Sequence, residues 1–424
     1  MRQSYNHIDQ IQGHTCIIKG QEQIKEEPKN HYKELFTEEG GEDISLTNDI
    51  LDNIPWLVME ADIEAMLAPF TDYEVSNCLW SMDPDKAPGP DGFTAHFYRI
   101  CWDLIKTDLL TMTMIRNFQQ KVKLGGGINS TFLFLSPKEN SPSNFGRFRP
   151  ISLCNVSYKL CSKLLANRIK PRLSKLISHN QGDFVKGRQI IDNVILVKEA
   201  IHASKERQEK GLIIKLDMAN AFDGVKHDFM LKVLEKFGFN HKIISLVKVC
   251  IGNPWITPLI NGRPTEFFQS PRGLRQGCLL SPFLYILMVE SLSRNLLVEK
   301  EEGNIPCIKI AEGVQTINHA LFADDVICLG GASVRIEKNF KKCLSFYCKA
   351  SGGKININKS EIYGWNLDHR TMLKIANDLD TKGHDNWEKF KYLGLPIFYG
   401  NSRGRHWQYV VGKIQGKINF WGGR

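Results

Sequence analysis

Apolar residues fall into two kinds of spacing along this 424-residue chain, and each predicts a different element. Leu212, Ile213, Ile214 and Leu216 form a short continuous run, the signature of a buried strand, and Asp217 stands at its end. Two further runs, 320–323 and 326–329, flank Asp324-Asp325. That arrangement predicts a β-hairpin with two carboxylates at its tip. Residues 131–135 read as another strand, preceded by a flexible joint at Gly125-Gly126-Gly127. Helical spacing appears elsewhere. Val156, Leu160 and Leu164 recur every four residues behind Asn155, a candidate N-cap, while Lys159, Lys163, Arg168 and Lys170 occupy the other face. Met230, Val233, Leu234 and Phe237 predict a helix that Asp228 can cap and Gly238 stops. The segment 86–92, KAPGPDG, is a turn, since its prolines and glycines suit neither a helix nor a central strand. Strands and helices therefore alternate, and the chain reads as mixed α/β, with no internal repeat.

Charge changes this picture more by its distribution than by its total. Residues 121–190 hold 13 Lys and Arg against two acids, Glu139 and Asp183, a local net of +11 in a chain whose total is +9. A basic segment in an otherwise near-neutral protein is the footprint of a polyanion binder, and the competing reading is a solvated helix face. Residues 1–60 are acidic, with 12 Asp and Glu against five Lys and Arg, and read as a polar linker with a short helix near 31–36. The 11 cysteines are scattered without a C-x-x-C pair, which suits reduced thiols better than a disulfide framework or a zinc site. There is no signal-peptide pattern and no run near the ~18 apolar residues that span a bilayer. A soluble intracellular protein without membrane contact is expected.

Three segments carry candidate chemistry. In LIIKLDMANAFD, Asp217 sits at a strand end, where a carboxylate is rigid yet can face a cleft; alone, such an aspartate is more often a cap or turn residue. In HALFADDVICLG, two adjacent like charges lie between apolar strands, an arrangement costing several kcal/mol unless a cation compensates it. If Asp217 and Asp324 converge, a set of oxygen ligands without His or Cys points to Mg²⁺ or Mn²⁺. Two such ions can clamp the attacking and leaving oxygens of an in-line phosphoryl displacement. In GLRQGCLLSP, Arg275 and Gln276 could point into a nucleotide site from a loop that Ser281-Pro282 turns into a helix.

Taken in order, KAPGPDG, TFLFLSPK, FRPISLCNVSYKLCSKLLANRIKP, QGDFVKGRQIIDNVILVKEAI, KLDMANAFD, GLRQG, FADD, SGGKININKSE and YLGLPI resemble the reverse transcriptases of plant-type non-LTR (LINE-like) retrotransposons. The resemblance covers roughly 86–397. It implies a right-hand polymerase whose fingers and palm include a split β-α-β sheet, acting on an RNA template, a DNA primer and dNTPs. Asp217, Asp324 and Asp325 then match the catalytic carboxylates, the first two holding two metal ions and Asp325 supporting them. Phe222 matches the aromatic gate that rejects a 2′-hydroxyl, and Gln276 the glutamine that contacts the nucleotide. Lys138 and Arg149 match basic fingers positions, and Lys359 the lysine that assists pyrophosphate. Tyr392 and Gly394 match the primer-grip turn. With Lys159, Lys163, Arg168, Lys170 and Arg188 they form the expected nucleic-acid contacts.

The implied layout is a linker at 1–60, an N-terminal extension at 61–120, fingers and palm at 121–397, and the start of an incomplete thumb at 398–424. Departures from the family pattern are Cys278-Leu279, where Asp-Pro is usual, and Gly353, where a larger apolar residue is usual. The expected activity is two-metal RNA-directed DNA synthesis in the nucleus. The alternatives are an inactive nucleic-acid-binding remnant and, third, an intron-maturase-like splicing cofactor.

Overall fold

The structure is a computed structural model describing residues 7–8, 10–12, 17–19, 21–37, 44–109, 115–314, 316–332, 334–384, 387, 390–397, 408, 411–415 and 418–419. The expected thumb segment 398–424 lies almost entirely outside the described residues. The fold is mixed α/β, as the alternation of patterns predicts. It divides into two compact units: 1–176, 220–288 and 349–353 form the first, and 177–219, 289–348 and 354–424 the second.

The first unit is built on a mixed sheet. Ser130–Pro137 pairs antiparallel with Phe148–Cys154 and parallel with Trp255–Ile260, which also carries two short antiparallel segments. Leu133 and Leu135 alternate inward along the first of these strands, onto a core with Phe145, Phe148, Ile256 and Phe268. The helix Gln21–Phe36 joins this core through Ile24, Tyr32 and Phe36, and so extends well beyond the short helix expected near 31–36. Further on, Asp72–Trp80 begins with a reciprocal capping box, Thr71 accepting from the Glu74 amide and Glu74 from the Thr71 amide. His227–Phe237 ends at Gly238, whose φ of +93° only glycine adopts without strain. Lys226, not Asp228, occupies its N-cap, and Asp228 falls in the first turn.

Val156–Ile169 corrects a second expectation. Its residues are buried almost all round, so it is a core helix rather than an amphipathic one with a basic outer side. Asn155 stands at its N-cap without capping it. The side chain instead donates to the Gly127 carbonyl (3.0 Å) and accepts from the Asp91 amide (3.1 Å), tying the KAPGPDG turn to the strand entrance.

The second unit holds the sheet that carries the candidate carboxylates Asp217 and Asp325. Gly211–Ala219 is its central strand, antiparallel to Asp325–Gly331 on one side and to Glu361–Trp365 on the other. His319–Phe322 closes one edge, Lys382–His384 the other, and Lys354–Ile355 pairs with the end of the central strand. Ile213, Ile327, Leu329, Tyr363 and Trp365 pack with Val197 and Ile201 of the helix Ile190–Glu206. Gly211 lies opposite Trp365, and a Cβ there would fall 2.1 Å from the indole, so the ring requires glycine beside it. The indole nitrogen donates to Ser204 Oγ at 2.9 Å, which satisfies the one polar atom of a ring otherwise in hydrocarbon.

Truncating Trp365 to Ala removes this contact and leaves a cavity. We expect a loss of about 3–5 kcal/mol from the second unit, read from the denaturation midpoint, with the first unit's amide protection unchanged.

Candidate active site

The register of the central pairing decides where the carboxylates fall. From Lys215 onward the central strand alternates: Leu216 and Met218 are buried, while Lys215, Asp217 and Ala219 look the other way. Asp325 pairs directly with Asp217, so the two carboxylates share a face. The turn joining His319–Phe322 to Asp325–Gly331 contains two residues, Ala323 and Asp324, and the first has a φ of +50°. The hairpin read from the sequence is therefore present, with Asp324 in its turn and Asp325 starting the return strand.

Electrostatics show how close the three acids are. Burial, reinforced by the charge of Asp217, raises the pKa of Asp324, and Lys359 partly offsets this. Burial pushes Asp325 to about 6; Asp324 and Asp217 add to the rise, and Lys215 and Lys359 oppose it. Asp217 is supported differently. Its backbone amide donates to Ser360 Oγ (3.3 Å) and its carbonyl accepts from the Asn356 amide (2.8 Å). Asn356 Nδ2 donates to Asp217 Oδ2 at 3.2 Å, and Lys359 Nζ lies 3.3 Å from the same oxygen. The sequence reading assigned Lys359 but missed Asn356 and Ser360. Both lie within SGGKININKSE, where the pairings of Lys354–Ile355 and Glu361–Trp365 with the central strand bring them to Asp217 from either side.

Among the described residues no three Asp, Glu, His or Cys side chains already form a closed ligand cage. The chemistry of the donor set still fits a hard divalent cation. It consists of oxygens only, and its carboxylates repel one another in a half-buried setting that a cation would relieve.

In the first unit, Phe222 is half-buried and stacks on Tyr285, with ring centroids 4.7 Å apart and an interplanar angle of 20°. Gln276 donates through Nε2 to both oxygens of Asp223, at 3.0 and 3.2 Å, which fixes its amide so that Oε1 is left as the acceptor. Asp223, also missed by the sequence reading, is fully buried and pushed to about 7, with Gln276, Lys138 and Arg272 restraining the rise. Lys138 and Arg149 are both exposed, and Lys138 Nζ donates to the Gly146 carbonyl at 3.0 Å.

Several basic candidates are placed otherwise than expected. The Arg168 guanidinium lies 2.9 Å from Glu74 and donates to the carbonyls of Met66 (3.0 Å) and Pro69 (3.1 Å), so it is a buried structural cation. Arg275 is buried over the Tyr158 ring, 4.1 Å from its centroid, and donates to Asn129; it does not enter a nucleotide site. Arg188 donates to the carbonyls of Gln181 (2.6 Å) and Ile177 (2.9 Å) and so holds a loop. Lys159 and Lys163 are half-buried, their pKa values lowered by burial, which leaves Lys170 as the exposed cation of that helix group. Tyr392 faces the core, its hydroxyl accepting from Asn193 at 3.4 Å. Gly394 is exposed at φ +79° in the two-residue turn between Tyr392 and Leu395.

Two outcomes follow. Arg168→Ala removes the cation paired with Glu74 and leaves the carbonyls of Met66 and Pro69 without their donor, and we expect it to cost about 1–3 kcal/mol, read from the denaturation midpoint. Asp223 is easier to protonate in the folded chain than in the unfolded one. Its contribution to stability therefore falls as pH rises through the window from ordinary carboxylate values to about 7. Asp223→Asn is expected to raise the thermal midpoint at pH 8, with the gain fading by about pH 5.

Against this geometry, comparison with known proteins is consistent. Residues 136–397, well over half of the chain, match the family model described as reverse transcriptase (RNA-dependent DNA polymerase). An uncharacterised 149 kDa protein of transposon TX1 from Xenopus laevis is 28% identical over 355 residues, covering 82% of this chain and 26% of that protein. A retrovirus-related Pol polyprotein from a type-1 retrotransposable element R2 of Popillia japonica is 25% identical over 329 residues, covering 74% of this chain and 43% of the polyprotein. A shorter similarity, 46% over 67 residues, links 16% of this chain to 55% of an uncharacterised mitochondrial protein of Arabidopsis thaliana. The chain spans less than half the length of either transposon relative. With the family model matched across the carboxylate-bearing sheet, the chain belongs to the reverse transcriptase (RNA-dependent DNA polymerase) family, in the form carried by non-LTR retrotransposons.

Proposed function

We propose that this chain carries out RNA-templated DNA synthesis, adding dNTPs to a primer 3′-hydroxyl. The observation that carries the reading is the register pairing Asp325 with Asp217, with Asp324 in the adjoining turn. On this reading the second unit's sheet is the palm, and the Ser130–Pro137 sheet belongs to the fingers. Asp217 and Asp324 would hold divalent ions, Mg²⁺ or Mn²⁺, and Asp325 would support them. Once bound, such ions favour the deprotonated 3′-hydroxyl and neutralise departing pyrophosphate.

The chain's own residues do the rest. Asn356 and Lys359 hold the Asp217 carboxylate, and Lys359 would donate a proton to the leaving phosphates or neutralise their charge. Phe222, held flat by Tyr285, would exclude a 2′-hydroxyl by contact with the sugar. Gln276, with its nitrogen committed to Asp223, offers an acceptor to the nucleotide. Lys138, Arg149 and Lys170 are exposed and would meet the phosphates, and such binding would weaken steeply with salt. Use of a nicked chromosomal end in the nucleus, and a plant-type lineage, belong to the same proposal.

The test is dTTP incorporation on poly(rA)/oligo(dT) with Mg²⁺ or Mn²⁺, beside Asp324→Ala. Incorporation that falls at least about a hundredfold in the variant supports the reading. No incorporation by the unmodified chain, with salt-sensitive RNA binding retained, would instead identify an inactive nucleic-acid-binding remnant.

A further inference from the structure

The strand His319–Phe322 is the edge of its sheet, and its outward backbone groups are taken up by the loop 180–182. Asn180 accepts from the Leu321 amide at 2.7 Å through its carbonyl, and its Nδ2 donates to the His319 carbonyl at 2.8 Å. The Gly182 amide donates to the Leu321 carbonyl at 2.8 Å, and Asn193 Nδ2 donates to the same oxygen at 2.7 Å. Only one contact of this clamp reaches the turn itself. Gln181 Oε1 accepts from the Ala323 amide at 3.0 Å and from the Asp183 amide, also at 3.0 Å.

The amide orientation is forced, because flipping it would set an N–H₂ group against two N–H donors. As a result Gln181 Nε2 is buried without a hydrogen-bond partner, in a side chain only 1% exposed. A buried orphan donor is a standing cost to the fold. It persists here alongside the one acceptor that fixes the residue before Asp324, in a turn whose Ala323 has positive φ. The loop is itself anchored: Glu290 accepts from the Ser178 amide (2.9 Å) and hydroxyl (3.0 Å), and Arg188 holds the Gln181 carbonyl.

We propose that Gln181 is a positioning residue that sets the hairpin turn so that Asp324 is presented for metal binding. The inference rests on the reading of Asp217 and Asp324 as metal ligands. Gln181 touches neither substrate nor ion; it acts through the Ala323 amide. Removing its oxygen frees the turn to rotate, while the strand below stays held by Asn180, Gly182 and Asn193.

The test compares Gln181→Met, which keeps the volume but loses the acceptor, with Asn193→Leu, which loses a bond to the same strand two residues upstream. Three readouts are taken on the full chain: Mn²⁺ affinity by electron paramagnetic resonance, amide exchange of 322–325, and steady-state dTTP incorporation. Gln181→Met is expected to weaken Mn²⁺ binding at least about tenfold, speed exchange at the turn, and lower kcat with little change in the dTTP KM. Asn193→Leu should lose comparable thermal stability and keep Mn²⁺ affinity within about twofold. Equal effects of the two variants, or unchanged Mn²⁺ affinity in Gln181→Met, would overturn the proposal by reducing Gln181 to ordinary packing. If the unmodified chain binds no Mn²⁺, the metal-ligand reading fails separately. Turn exchange then decides the clamp: faster only in Gln181→Met supports it, and equal in both variants rejects it.

Discussion

The antiparallel pairing of Gly211–Ala219 with Asp325–Gly331 runs through seven residue pairs, from Gly211 opposite Gly331 to Asp217 opposite Asp325. Six of those pairs lie in or beside a core that includes Ile213, Ile327, Leu329 and Trp365, and they allow no slip. A shift of one residue would exchange the side chains packed on the two buried faces and set a residue with a Cβ against the Trp365 indole, so the core holds the last pair in register as well. That last pair is two carboxylates. Burial and mutual repulsion raise Asp324 and Asp325, so the apolar part of the sheet sustains an unfavourable electrostatic arrangement at its end. Stability and chemistry are thus divided along one strand: hydrocarbon at the start, charge at the finish.

The same division separates what the sequence makes legible from what it does not. A continuous apolar run ending in Asp217, and two runs flanking Asp324-Asp325, are local signals, because neighbours along the chain make the strand and the hairpin. Their convergence on one face is not local. It follows from pairing across more than a hundred residues, and the order of family blocks was the only hint of it. Asn356 and Ser360 were missed for that reason: they sit between a two-residue strand too short to show periodicity and the strand Glu361–Trp365, and both reach Asp217 only through pairing with a strand remote in sequence.

Basic residues were the least legible. Counting charge in 121–190 identified an electropositive segment, but composition does not distinguish a cation facing phosphate from one facing a carbonyl. Arg168 and Arg275 are core residues, stacked on Phe70 and Tyr158 respectively, where a guanidinium's flat faces are useful in packing. The helix that holds Arg168 looks amphipathic in one dimension because the helices Glu60–Leu67 and Asp72–Trp80 that pack on it are remote in sequence. Glu74 meets Arg168 from 94 residues away. Tyr392 shows the converse: its turn is where the family pattern suggests, while its ring belongs to the aromatic cluster with Tyr363 and Phe390.

The backbone at Ala323 carries a consequence for how this chain can drift under mutation. Elsewhere in the hairpin, exchange among Val, Ile and Leu changes packing by modest amounts. At φ +50° a β-branched residue is sterically disfavoured, although its neighbours are strand residues that would otherwise welcome it. A larger side chain would also have to fit a site only 8% exposed. The position directly before Asp324 is therefore restricted twice, by a backbone that disfavours β-branched residues and by burial that leaves little room for larger ones. A copy free of all functional selection would still be expected to keep alanine or glycine there for as long as it folds.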